Sequence, residues 1–256
     1  MTTPLDPHHI VGSLGSHFWR LKVPPQLVPE LASKFDWSQM GRRVMIDTMD
    51  GIILWMNPSS SHAGLASASD DIVSLAASLL KVKVNKKRDT RWKAPDDPQN
   101  VGMEADAAFY IGENASAYFT LLKQRGREAA EEFEAQTPPD LVVEVEVTHF
   151  DKNKPEKYTR LGAREMWRVN ARKSDKQPQI EILDLQQPKE PIVIETSSVL
   201  NGLSSSILPQ AFWLANTGDY TDLSALLREN FNKVSDYSLS ELKPDKYDRN
   251  NPTELS

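Results

Sequence analysis

The chain has 256 residues, 39% hydrophobic and 26% charged, with 30 Lys and Arg against 36 Asp and Glu and a formal net charge of -6. The absence of cysteine excludes disulfides, thiolate zinc sites and cysteine nucleophiles. The net acidity excludes a surface that is positive all over, but a local basic groove on an acidic protein is still compatible with it.

Residues 1–40 are rich in Pro and His and weakly periodic, which predicts an arm or small cap with one short helix at "PPQLVPELASKF". "RRVMIDTMDGIILWMNP" predicts two short strands about a turn at Asp50-Gly51, a strong hairpin signal. In "SSSHAGLASASDDIVSLAASLL" apolar residues recur at helical spacing behind capping serines, which predicts a helix. "KVKVNKKRDTRWKAP" alternates and then turns strongly basic. "MEADAAFYIG" reads as a strand ending at Gly112, and "NASAYFTLLKQRGREAAEEFEAQ" as a helical insertion with a charged face. "PDLVVEVEVTH" is the expected central strand. "KPEKYTRLG" predicts a short helix, with Pro155 in its first turn and Gly162 past its end. "REMWRVN", "QIEILDL" and "PIVIET" read as three successive strands of a meander, and "LSALLRENF" as a C-terminal helix. The tail from about Ser235 is polar and is expected to be disordered. This mixed order predicts an α/β (α+β) domain around a central mixed sheet. The expected division is an extension over 1–40, a single domain over 41–234 and a tail over 235–256.

The central strand poses the chemical question. Side chains alternate faces along a strand at roughly 3.3 Å per residue. Glu144 and Glu146 therefore share one face, about 7 Å apart at Cα, while Val143, Val145 and Val147 share the other. A half-buried strand with a solvated acidic face explains this pattern. A metal site explains it too, since magnesium takes one or two carboxylates plus water and phosphate. Asp140 cannot join Glu144 in such a site, because four residues of strand separate them by about 13 Å. Asp106 can, if its strand pairs with this one at the usual spacing of about 4.8 Å. Lys152, Lys154 and Lys157 come next, at the start of the short helix. A lysine there is either part of a solvated helix end or a group that holds a phosphate. A helix N-terminus disfavours positive charge unless an anion sits beside it.

The run "PDLVVEVEV…KPEKYTRLGAREMWRV" resembles the Uma2 family of restriction-endonuclease-like proteins, within the PD-(D/E)XK nuclease superfamily. The carrying positions are Glu144, Val145, Lys154, Tyr158, Gly162, Glu165 and Trp167. "DTMDGIILWMNPSSSHAGL", "EADAAFYIG" and "GLSSSILPQAFWL" resemble further segments of the same family. The resemblance covers roughly Met45 to Phe231. It implies a restriction-endonuclease-like core, a central mixed sheet flanked by helices, with a site for Mg²⁺ or Mn²⁺. It implies metal-dependent hydrolysis of DNA phosphodiesters, or else a nuclease-fold module that binds nucleic acid or a protein without catalysis. Asp106 and Glu144 take the metal-binding positions. Lys154 takes the place of the superfamily's lysine, whose usual position two residues after the acid is held here by Glu146, a further ligand or an orienter of water if it faces the same site. Asp47 and His62 match further positions that act in the site or only shape a turn and cap a helix. Tyr158, Gly162 and Trp167 are read as structural, for ring packing, helix stop and core. Ala105, Asn57 and Val147 depart from the family pattern without removing a metal ligand.

Residues 81–93 concentrate positive charge in Lys86, Lys87, Arg88 and Arg91, with Trp92 among them. Cations hold phosphates and an aromatic ring stacks on a base, yet lysines also blunt the edge strand of a sheet. Arg160, Arg164 and Arg168 add charge near the proposed site. DNA is the partner expected, no membrane partner is expected, and a homodimer stays open. No apolar run looks long enough to span a bilayer and no signal-peptide pattern opens the sequence, so a cytoplasmic location is expected.

Overall fold

The computed structural model describes residues 10–12, 18–28, 30–31, 43–47, 51–56, 60–87, 91–92, 103–147, 152–171, 177–187 and 190–241. The described residues form an α/β fold. Its first sheet joins β1 (Ile10–Gly12), β2 (Phe18–Lys22), β3 (Arg43–Asp47) and β4 (Ile52–Met56) in the order β1-β2-β4-β3. β3 and β4 form the hairpin expected around Gly51, which adopts φ +65. That residue must be glycine, because a Cβ there would meet the Val23 carbonyl oxygen at 1.9 Å. β2 pairs with β4 over five residues, so main-chain bonds tie the N-terminal segment to the domain expected to begin at residue 41.

The second sheet carries the core. After α1 (Ser60–Leu80) come β5 (Val84–Lys87), the two-residue strands β6 (Arg91–Trp92) and β7 (Met103–Glu104), and β8 (Ala107–Ile111). α2 (Glu113–Arg125) and α3 (Arg127–Gln136) form the expected helical insertion, split at Gly126 with φ +86. Next in the chain are β9 (Leu141–Glu146), α4 (Lys154–Leu161), β10 (Glu165–Asn170), β11 (Gln179–Asp184) and β12 (Ile192–Ile194). α5 (Leu208–Thr217) and α6 (Tyr220–Glu241) close the described chain. α6 runs six residues past Ser235, into the segment expected to be disordered. The strand order is β12-β11-β10-β9-β8-β5. β9 and β10 are parallel, with α4 as the crossover, and the other pairings are antiparallel. The meander of three strands is β10-β11-β12, as its alternation predicts.

Period-two alternation sorts each strand between two layers. Leu141, Val143 and Val145 of β9, with Trp167 and Val169 of β10, bury one face against α1, α5 and α6. Each such aliphatic side chain contributes about 1.5–3 kcal/mol on burial. Trp167 lies edge-on to Phe212 at 6.4 Å between ring centroids. By length and composition α1 could cross a membrane, contrary to the expectation from the sequence. Here its apolar side chains, Ile72, Val73, Ala76 and Ala77 among them, pack against the sheet as a core helix. The opposite face buries Ala108, Val142, Met166 and Leu183 against Trp92, Met103, Tyr158 and Leu161.

Two buried carboxylates fasten this frame. Asp140 accepts from the Ile111 N–H (2.7 Å), Asn114 Nδ2 (2.9 Å) and Arg164 (3.2 Å), locking β8, α2 and the start of β10 together. Glu165 accepts from Trp167 Nε1, from Ser197 Oγ, and from the N–H and Oγ of Ser198. Gly162 ends α4 in the left-handed conformation, as expected from its place in the sequence.

Trp167→Ala empties the middle of the larger core and should cost about 3–5 kcal/mol in urea unfolding. A loss under about 1 kcal/mol would contradict the packing. Burial holds the Asp140 carboxyl above its ordinary value of 3.8, against the pull of its donors. With the folded-state value raised, Asp140 favours folding fully below the ordinary carboxylate pKa, and that contribution is lost as pH rises through the folded value. Asp140→Asn loses acceptors and should be less stable throughout. Its stability should also decline less, or rise more, than wild type's from acid to neutral pH, and parallel pH profiles would refute the assignment.

Candidate active site

The polar residues gather where the second face of the sheet stops being apolar. Along β9 that face carries Val142, then Glu144, then Glu146. Register extends each position across the sheet. Val142 lies beside Met166 and Met166 opposite Leu183, an apolar row. One step on, Glu144 lies beside Arg168 and Arg168 opposite Glu181. Asp106 directly precedes β8, and continuing the β8–β9 register by one residue puts it opposite Glu144. A charged row thus crosses four adjacent segments, in the order Asp106, Glu144, Arg168, Glu181.

Glu144 and Glu146 are each 2% exposed. The solvated acidic face is therefore not what β9 presents, because the second layer covers it. A buried carboxylate needs donors or cations, and both are there. Glu144 Oε1 accepts from the Tyr158 hydroxyl, and Glu144 Oε2 from Lys154 Nζ. Lys154 and Tyr158 lie four residues apart on α4, which puts them on one side of the helix. Lys154 is the first residue of α4. The clash between its charge and the helix dipole is offset by Glu144 itself. Tyr158 is not purely structural, as its sequence position suggests. Its ring is fully buried in the smaller core, but its hydroxyl belongs to the site.

Asp106 is held differently. Its Oδ2 accepts from the Val145 N–H at 2.6 Å and lies 3.1 Å from His62 Nε2. His62 comes from the first turn of α1, so the pair joins a helix of one layer to the strand end of the sheet. Glu146 lies 3.9 Å from Arg168 Nε, and Arg168 reaches Glu181 at 3.4 Å. Sequence reasoning places Arg168 only near the site, as added charge, and reads Tyr158 as structural. The signal for Tyr158 is its spacing from Lys154. For Arg168 it is the register between β9 and β10, which sequence alone does not supply.

The structure thus brings together Asp106, His62, Glu144 and Lys154, with Glu146 on the same strand face. Asp47 is the last residue of β3, opposite Ile52, and its side chain lies outside the described residues. The basic segment divides. Trp92 is 4% exposed and packs in the smaller core. Lys87 is buried, paired with Glu134 at 2.5 Å and set 3.7 Å above the Tyr118 ring. Burial withdraws both from a surface that contacts phosphate or bases. Lys86 is exposed, Arg88 lies outside the described residues, and Arg91 is described only as part of β6.

Among the described residues no three His, Asp or Glu side chains converge to hold an ion. Asp106 and Glu144 supply the hard oxygen donors that magnesium prefers, in the number it commonly takes from protein. In donor chemistry the pair fits a divalent cation completed by water and phosphate.

No curated protein matches the chain. The family model Uma2, described as "Putative restriction endonuclease", matches residues 30–217. That span takes in β3 through α5 and every residue of the site, and it carries a nuclease-type function. The chain belongs to the Uma2 family.

Proposed function

We propose that this protein is a metal-dependent endonuclease that hydrolyses DNA phosphodiester bonds. The observation that supports this reading best is the Lys154–Glu144–Tyr158 cluster beside Asp106, which puts the substitute lysine on the acid it is expected to serve. Asp106 and Glu144 are the residues that would hold Mg²⁺ or Mn²⁺. When bound, such an ion polarises a phosphoryl oxygen and lowers the pKa of its water.

The chain's own residues do the rest. Lys154 provides positive charge for the phosphoryl oxygens as water attacks phosphorus and the P–O bond to the leaving strand breaks. The Val145 N–H and His62 fix the Asp106 carboxylate, and Tyr158 fixes Glu144. Arg168 counters the charge of Glu146, so two acids two residues apart can share one buried face. Glu146 stands beside the acid rather than replacing the lysine in function. Lys86, with Arg88 and Arg91 of the same segment, supplies the basic contacts proposed for the DNA backbone.

A second reading has its own observation. Both oxygens of Glu144 already have donors within the chain, as a module that binds without catalysis would require.

The test is cleavage of supercoiled and linear DNA with millimolar Mg²⁺ or Mn²⁺. Wild type should cut, chelation should stop it, and Glu144→Gln and Asp106→Asn should each lose about 10²–10³-fold in rate. The amide of Asp106→Asn retains an acceptor for Val145, so its loss reads chemistry rather than folding. A folded Glu144→Gln variant as active as wild type would sink the nuclease assignment. Salt-sensitive DNA binding without metal binding or cleavage would support the non-catalytic module instead.

A further inference from the structure

We infer that Lys154 is an internal counter-ion that competes with the divalent cation for Glu144, so that cation binding frees the lysine to face the phosphate. The inference rests on the proposed function and concerns how the same site is loaded.

Glu144 has one donor on each oxygen, and each oxygen keeps a second lone pair, so an ion can approach either one, but beside Oε2 it meets the Lys154 ammonium and the two positive charges repel. The two donors differ in their freedom to leave. Tyr158 is fully buried, packed with Leu161, Val142 and Met166, and its hydroxyl cannot withdraw without unpacking the ring. The Lys154 side chain is 16% exposed and sits at the outer end of α4. Its flexible four-carbon stem lets the ammonium move without disturbing the core. The helix dipole opposes a cation in the first turn, so Glu144 is what draws it inward. Neutralising the carboxylate with a cation removes that attraction, and Lys154 then turns to the next available anion. Lys154 is accordingly the donor that would yield to an ion, while Tyr158 would keep its hold on Oε1. In the free protein lysine and cation weaken each other's hold on Glu144. With a phosphate present they act together, because the phosphate accepts the lysine that the ion displaces. Linkage makes the first effect reciprocal and measurable.

The experiment is Mn²⁺ titration by calorimetry on the full chain, without DNA. All variants are titrated in the same buffer at one pH. Lys154→Met should bind Mn²⁺ roughly tenfold more tightly than wild type, the equivalent of one modest ion pair removed. Lys154→Arg, which retains the charge, and Lys157→Met, which removes a neighbouring charge of the same helix, should bind as wild type does. Adding Glu144→Gln to Lys154→Met should abolish the gain. Should Lys154→Met fail to fold, Lys154→Gln, which retains a donor without charge, carries the same expectation. Equal or weaker binding by the folded neutral variant would overturn the inference while leaving the metal assignment standing. Equal tightening by Lys157→Met would overturn it as well, by showing a general charge effect. No Mn²⁺ binding by any of these proteins would overturn both.

Discussion

Burial of the Glu144 carboxylate is the constraint on which the site depends. A charge taken out of water must be matched by donors and cations of good geometry. Here the match comes from α4, through Lys154 and Tyr158. That requirement fixes the place of α4 over the second face of the sheet, and with it the need for one apolar and one polar half on that face. The apolar row of Val142, Met166 and Leu183 supports the helix. The charged row beside it gives the helix something to bind.

Two further buried acids, away from the site, show what a purely structural carboxylate looks like in the same fold. Glu165 receives hydrogen bonds from a ring nitrogen, two hydroxyls and a main-chain N–H, and Asp140 from three separate elements. Most of their donors are main-chain groups and short side chains, and the one long, exposed side chain among them, Arg164, is a third donor beside the Ile111 N–H and Asn114. Glu144 has two donors, one of them on a long, partly exposed stem. Degree of burial does not separate the three acids. The number of fixed donors does: Asp140 keeps the Ile111 N–H and Asn114 if Arg164 leaves, whereas Lys154 is one of the two donors of Glu144.

Much of this is legible in the sequence. The helix of α1, the hairpin about Gly51, the central strand and the final meander each carry a strong local period or turn signal. Asp106, Glu144 and Lys154 can be assembled because one condition, pairing of β8 with β9, is enough to bring the first two together. The limits have physical causes. Whether an alternating strand turns a given face to solvent depends on what covers it, and nothing within β9 announces α4. The same ignorance puts Lys87 and Trp92 on the surface, where a short edge strand gives no sign of its inner side. Tyr158 looks structural because its ring is; a phenol has two ends, and the sequence does not say where the second one points. β1 and β2 escape recognition because their pairing with β4 is non-local and their own period is weak.

The packing of α1 has a further consequence for how the protein is made. Gly64, two residues from His62, lies so close to Asn216 of α5 that a Cβ there would fall 2.6 Å from the Asn216 side-chain oxygen. The helix that carries His62 is covered by α5 and α6, which come much later in the sequence. On the ribosome, chains grow from the N-terminus, so α1 is made long before its cover. Strands β8 and β9 reach α1 first, and the part of its apolar side that faces α5 and α6 stays uncovered until those helices have emerged. Packing of the layer that carries His62 is thereby tied to a part of the chain made well after it.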